Sequence, residues 1–179
     1  MIKEMITRRS TRSYNGKPVD KELVMQLLEA ARLAPSGKNT QPWNFIVVTD
    51  PATKEKIAVA DHNQMWMVDA PVHIVCVADI KRRNPDIGQV VVDENAAYPE
   101  LKAVIRDTAV AIQHILLMAE HLGLASCWTG WYAQDDMRPI LGIPNDQYVV
   151  GVVTIGHTDD PPKAQTRRDL EDMVRYEKW

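Results

Sequence analysis

Between about Glu100 and His121 the chain carries its longest helical pattern, and the apolar residues there cover more than a narrow stripe. Val104, Thr108, Ala111, Ile112, Ile115 and Ala119 recur at spacings of three and four and share one broad face. Leu116, Leu117 and Met118 widen that surface. Such a helix has to be covered by the rest of its domain, by a second subunit, or by both. Gly123 supplies its stop.

The flanking segments show what could do the covering. Ile2, Met5 and Ile6 give one apolar face to a short opening helix. Leu23, Leu27, Leu28, Ala31 and Ala34 predict a second helix, with Asp20 as N-cap and Pro35 as terminator. Trp43–Val48 and Pro71–Ala78 read as buried strands joined by a polar helix from Ala52 to about Ala60. A short strand follows Gly123, then a helix over Ala133–Leu141 and a last strand over Tyr148–Ile155. Leu170, Met173 and Val174 predict a closing helix. Ile80–Glu94, charged and broken by Pro85 and Gly88, is expected to be a mobile surface excursion or lid. A length of 179 residues with 45% hydrophobic content fits one domain spanning 1–179.

Charge and composition exclude several function classes. The net charge of -3 gives no global field for nucleic acid. The arginines cluster instead, at Arg8, Arg9 and Arg12 and again at Arg167 and Arg168, which suits a small anion. Cys76 and Cys127 lack metal-ligand spacing and are too few for a disulfide framework. His114 and His121 have no third ligand in view, and His73 reads as a core histidine, so no metal is expected. The charged opening residues do not read as a signal peptide, and no apolar run approaches the ~20 residues of a membrane span. A cytoplasmic location without membrane attachment is the expectation.

Three short stretches carry the chemistry. Arg8-Arg9-Ser10-Thr11-Arg12 interleaves charged forks with hydroxyls, either as the donor set of a phosphate site or as a solvated basic turn. Ala34–Trp43 places Ser36, Lys38, Asn39, Thr40 and Gln41 on a connection stiffened at both ends. There Gly37 permits a backbone conformation that other residues resist, and Pro42 is expected to hold Gln41 extended. Those side chains suit a flat, heteroatom-rich ligand, or they satisfy loop backbone groups. Trp128-Thr129-Gly130-Trp131 joins indoles able to wall a planar ring to a glycine that lets backbone N–H groups come close. Two core tryptophans beside a turn would look the same.

Taken in order, these motifs resemble the FMN-dependent nitroreductase family. The likeness rests on Arg8–Arg12, on Pro35–Trp43, and on Asn63 ahead of Asp69-Ala70-Pro71. It continues through Gly123-Leu124 running into Cys127–Gly130, and through Ile155-Gly156 followed by Arg167–Glu171. The resemblance implies an α+β fold, an α-β-α sandwich with a mixed central sheet flanked by helices. It also implies an intertwined homodimer with its FMN sites at the subunit interface. By the same resemblance Arg8, Arg9, Ser10, Arg12 and Arg167 hold the FMN phosphate and ribityl chain. Pro35, Ser36, Asn39 and Gln41 come from the partner chain, and Asn63 bonds the isoalloxazine. Trp128, Thr129 and Gly130 form the turn whose backbone donates towards flavin N5. Trp66 stands where some relatives carry a lysine. The implied activity takes electrons from NADH or NADPH to FMN and on to a small nitroaromatic, quinone or similar acceptor in a ping-pong scheme, with no catalytic side chain named. Flavin storage or sensing with little turnover, or another flavin chemistry such as reductive dehalogenation, is the alternative.

Overall fold

A computed structural model describes residues 1–179. Its four strands are β1 (Trp43–Val48), β2 (Val72–Asp79), β3 (Ala125–Thr129) and β4 (Gln147–Gly156), in the order β1-β2-β4-β3. Around them lie α1 (Lys3–Thr7), α2 (Lys21–Arg32), α3 (Pro51–Ala60), α4 (Pro99–His121) and α5 (Gln134–Leu141). The fold is α+β. All three strand pairings are antiparallel, so the mixed character expected of the sheet reduces to one parallel bridge between Ser10 and Ser126. The opening segment follows β3 too briefly to build a ladder. Thr11 N–H donates to Ser126 O, and then Tyr14 turns inward, its hydroxyl on Thr11 O and Thr154 Oγ1.

The two central strands show why helices cover both faces. Along β2, Ile74 and Cys76 join the core beneath α2 and α4, while Val75 and Val77 join the core beneath α3 and α5. Alternation with period two splits the strand between two layers, which is why its sequence is apolar almost throughout. In β4 the register slips once opposite Cys76 and Val77, leaving Val150 as the extra residue. Val149 can therefore face the same layer as Val152, three positions away.

The long central helix is α4. Leu101, Val104, Thr108, Ala111, Ile112, Ile115, Leu116 and Ala119 are buried on it. It ends in a Schellman arrangement: Gly123 N–H donates to Glu120 O, and Leu124 N–H to Ala119 O. Gly123 has φ +72, which a side chain would resist.

Two expectations fail. The 80–98 stretch is anchored rather than free: Val92 is buried, its N–H donates to Asn145 O, and the Arg138 guanidinium donates to Val92 O. Glu94 accepts from Gln134 N–H. No closing helix forms either. Its residues supply only a 3-10 turn, Leu170–Asp172, with Leu170 71% and Met173 53% exposed. The apolar spacing is real, but nothing in the chain's own core lies opposite it. A smaller departure is that Asp20 sits at the N-cap of α2 without a side-chain capping bond. No helix is long and apolar enough to cross a membrane.

Candidate functional site

The chain leaves α1 through Arg8 in extended geometry, with φ -53 and ψ 135. Successive side chains of an extended segment take opposite sides, and these do. Arg8, Ser10 and Arg12 gather near the Cys127 thiol. Burial pushes the pKa of that thiol up, and these three oppose the push. All five ion pairs of the structure lie elsewhere, so Arg8 and Arg12 have no anion of their own. Arg9 is turned the other way. Its Nη1 donates to Ile6 O and Arg8 O, each at 2.8 Å, and it lines a cavity of about 290 Å³ with Thr7, Glu120 and His157. Arg167 lies on the exposed tail, where its guanidinium donates to the carbonyls of Gln165 and Thr166.

Beside this segment the end of β3 is tied to the loop after α3. Asp61, fully buried, accepts from Trp131 N–H at 2.7 Å, from Gln64 Nε2 at 2.6 Å, and from the Thr129 hydroxyl. Gln64 Nε2 also donates to Thr129 Oγ1 at 2.8 Å, and Gln64 Oε1 accepts from Trp66 Nε1 at 3.1 Å. The Arg12 guanidinium sits 5.7 Å from the centre of a Trp66 ring, within cation–π range. His62 stacks on Trp131 with ring centres 4.2 Å apart and planes 8° from parallel. His62 and the exposed Asn63 both have positive φ, 57 and 56. Trp128 folds its indole onto Gly151, where any Cβ would collide with it.

The Ser36–Gln41 loop is built differently. Gly37 does not carry the unusual backbone. Lys38, Asn39 and Gln41 do, with φ 54, 54 and 48, so Gln41 is not held extended by Pro42. The loop closes on itself instead. Gln41 N–H donates to Ser36 Oγ at 2.9 Å, and Gln41 Nε2 to Asn39 O. What crowds Gly37 is the flexible end of a side chain, because the Arg83 guanidinium occupies the place of a Cβ. Gly37 N–H is held by Asp107 of α4 at 3.1 Å. Three non-glycine residues at positive φ within four positions is local strain of the kind that collects at binding sites. Pro35, Lys38 and Asn39 are exposed. Two buried polar atoms nearby, Arg83 Nη1 and Thr40 Oγ1, have no partner.

The sheet fixes how far apart these pieces lie. Ser10 bridges to Ser126, which pairs with Ile155, which pairs with Val72. The loop runs into Trp43, which pairs with Ala78. From β3 to β1 is three strand gaps, roughly 14 Å, and from Val72 to Ala78 is roughly 20 Å along a strand. Arg8–Arg12 and Ser36–Gln41 therefore occupy diagonally opposite corners. The structure brings together Arg8, Ser10, Arg12, Asn63, Trp128, Thr129 and Gly130; Pro35, Ser36, Asn39 and Gln41 lie away from them.

Asp61 and Gln64 are central to the first corner yet carry little sequence signal. The one hint is the polar run Asp61-His62-Asn63-Gln64 directly after a helix. Their partner Thr129 is 65 to 68 positions away.

Known proteins match the chain along most or all of its length. A family model described as the nitroreductase family matches residues 5–157. An Archaeoglobus fulgidus protein provisionally named NADH dehydrogenase/NAD(P)H nitroreductase is 33% identical over 99% of this chain and 98% of its own length. A Bacillus subtilis FMN reductase [NAD(P)H] is 27% identical, with all of this chain matched to 74% of that protein. Among solved structures, an FMN-dependent nitroreductase from Clostridium difficile superposes with a TM-score of 0.81 at 30% identity, each chain covered in full. The family model and these relatives agree: the chain belongs to the nitroreductase family.

Proposed function

We propose that residues 1–179 form one FMN-binding unit of a homodimeric NAD(P)H oxidoreductase. The observation that carries this reading is the pair of unpaired guanidiniums, Arg8 and Arg12, gathered with the Ser10 hydroxyl beside the Thr129–Gly130 turn. That donor set fits a phosphate with a polyol tail, and the turn with its indoles fits a planar ring. The relatives named for FMN and NAD(P)H support the same ligands.

Arg8 and Arg12 would neutralise the phosphate, Ser10 would complete its shell, and Asn63 would meet the ring edge. Trp131, 66% exposed and stacked on His62, would help wall the space above it. FMN, when bound, would supply the redox chemistry between NADH or NADPH and a nitroaromatic, quinone or similar flat acceptor, each using the site in turn. The protein positions and shields. Because the Ser36–Gln41 loop sits at the far corner of its own chain, it would serve the partner's site. Tail residues Leu170, Met173 and Tyr176, with Val110 on α4, offer apolar surface for that association. Arg167 would reach the phosphate once the tail is seated. The location remains the cytoplasm in this reading.

The test is direct. Purified protein should show a flavin band in its visible spectrum, lose it on adding NADH or NADPH, and regain it with a quinone. Absence of the band together with no uptake of added FMN would overturn the reading.

A further inference from the structure

Asp61 is a buried carboxylate without a cation partner. Its relative exposure is 0%, and none of the five ion pairs includes it. Its donors are all neutral: the Trp131 N–H, the Gln64 amide and the Thr129 hydroxyl. Burying an unpaired charge is costly, and mere stapling of a turn would be served by a neutral side chain. The carboxylate is placed so that it orients the whole turn. Drawing the Trp131 N–H inward leaves the Gly130 N–H, which has no partner in the chain, as the turn's free donor. There is room beside Gly130, where an added Cβ would meet only Val150 O, at an ordinary contact distance of 3.6 Å.

We infer that Asp61 is a positioning residue with two effects. It fixes the Thr129–Gly130–Trp131 turn, and its fixed negative charge behind that turn makes reduced FMN less stable relative to oxidised FMN. This rests on the FMN reading above. Reduction adds negative charge to the ligand, and a buried like charge with no counter-ion disfavours that addition. The low local dielectric keeps the repulsion from being screened. Gln64 bonds the Asp61 carboxylate to the Trp66 indole, over which Arg12 lies. Asp61 thus biases the site towards giving electrons up to an acceptor.

The experiment compares FMN-loaded wild type with Asp61→Asn and Asp61→Ala. Asparagine keeps the shape and an oxygen for the Trp131 N–H, so oxidised FMN should bind within about fivefold of wild type. Its midpoint potential should rise by about 30 mV or more, a tenfold gain in the relative affinity for the reduced form of a two-electron couple. Alanine should loosen the turn and weaken oxidised FMN by about tenfold or more. Two results overturn the inference. One is an Asp61→Asn protein that binds FMN normally at an unchanged potential. The other is one that loses FMN as severely as Asp61→Ala, which makes Asp61 a staple alone. Wild type that takes up no FMN overturns the functional reading itself, and this inference with it.

Discussion

Two corners of one sheet carry the residues of the site, and they are built on opposite plans. At the β3 corner the 61–66 loop and the 128–131 turn are bonded to each other through Asp61, Gln64 and Thr129, and the Arg8–Arg12 segment is tied to β3 by the Thr11 N–H on Ser126 O. What remains unpaired there is charge, positive on Arg8 and Arg12 and negative on the buried Asp61. At the β1 corner the Ser36–Gln41 loop is bonded mainly within itself and to Asp107, and what remains there is backbone strain and exposed amides. One corner is a rigid receptor lacking an anion; the other is a preformed probe lacking a target. A separation of more than 20 Å within one chain, estimated from strand spacings, means that neither can complete the other there. In the proposed dimer each would be half of a site, and the halves would meet only when two chains do.

The largest expected effect breaks the receptor corner. Arg8→Ala combined with Arg12→Ala should weaken FMN by about a hundredfold or more, since each charge-assisted bond is worth roughly 1.5–3 kcal/mol. Riboflavin, which has no phosphate, should bind nearly as before; equal loss of both ligands in parallel titrations would make the arginines structural.

Next comes the strand that joins the corners. His73 in β2 is buried, and desolvation lowers its pKa from 6.5 to about 4 although Nε2 bonds Met67 O. Between those values the unfolded chain binds more protons than the folded one, so stability is full above about pH 6.5 and declines as pH falls towards 4. The loss from this group is roughly 3 kcal/mol. Denaturant unfolding across that window should show it, and His73→Gln should abolish that part of the slope. Both corners should unfold in one transition, because β2 pairs with β1 and β4 alike.

A middle-sized effect separates the corners sterically. Gly151→Ala must displace the Trp128 indole, and overpacking of this kind costs about 1–3 kcal/mol. Gly37→Ala meets only the end of the Arg83 side chain, which can swing away, so its cost should stay below about 1 kcal/mol. Melting curves giving the reverse order would show the loop to be the more rigid of the two. The smallest effect is at the probe corner: Asn39→Ala should weaken FMN about fivefold, one neutral hydrogen bond, and leave chain stability unchanged.

Much of this architecture was legible in the residues. Short apolar runs place all four strands and a period of 3.6 the long helix, and the motifs point to both corners. The strain at Lys38, Asn39 and Gln41 was not legible, because positive φ at a non-glycine residue leaves no local mark. Anchoring of the 80–98 stretch depends on Arg138, 46 positions from the carbonyl it holds. The Asp61 network closes across a comparable gap. The tail misleads for a plainer reason: periodicity reports that Leu170, Met173 and Val174 are apolar, not what covers them.

The shared site can be tested in a mixed dimer. One subunit carries Arg8→Ala and Arg167→Ala, and the other carries Asn39→Ala and Gln41→Ala. If clamp and loop come from different chains, both sets of defects fall in one site and the second site is wild type. Titration should then find one FMN per dimer bound at near wild-type affinity. Two weakened sites with neither near wild type, one strongly and one mildly impaired, would put clamp and loop in the same chain and contradict the division of the site between corners.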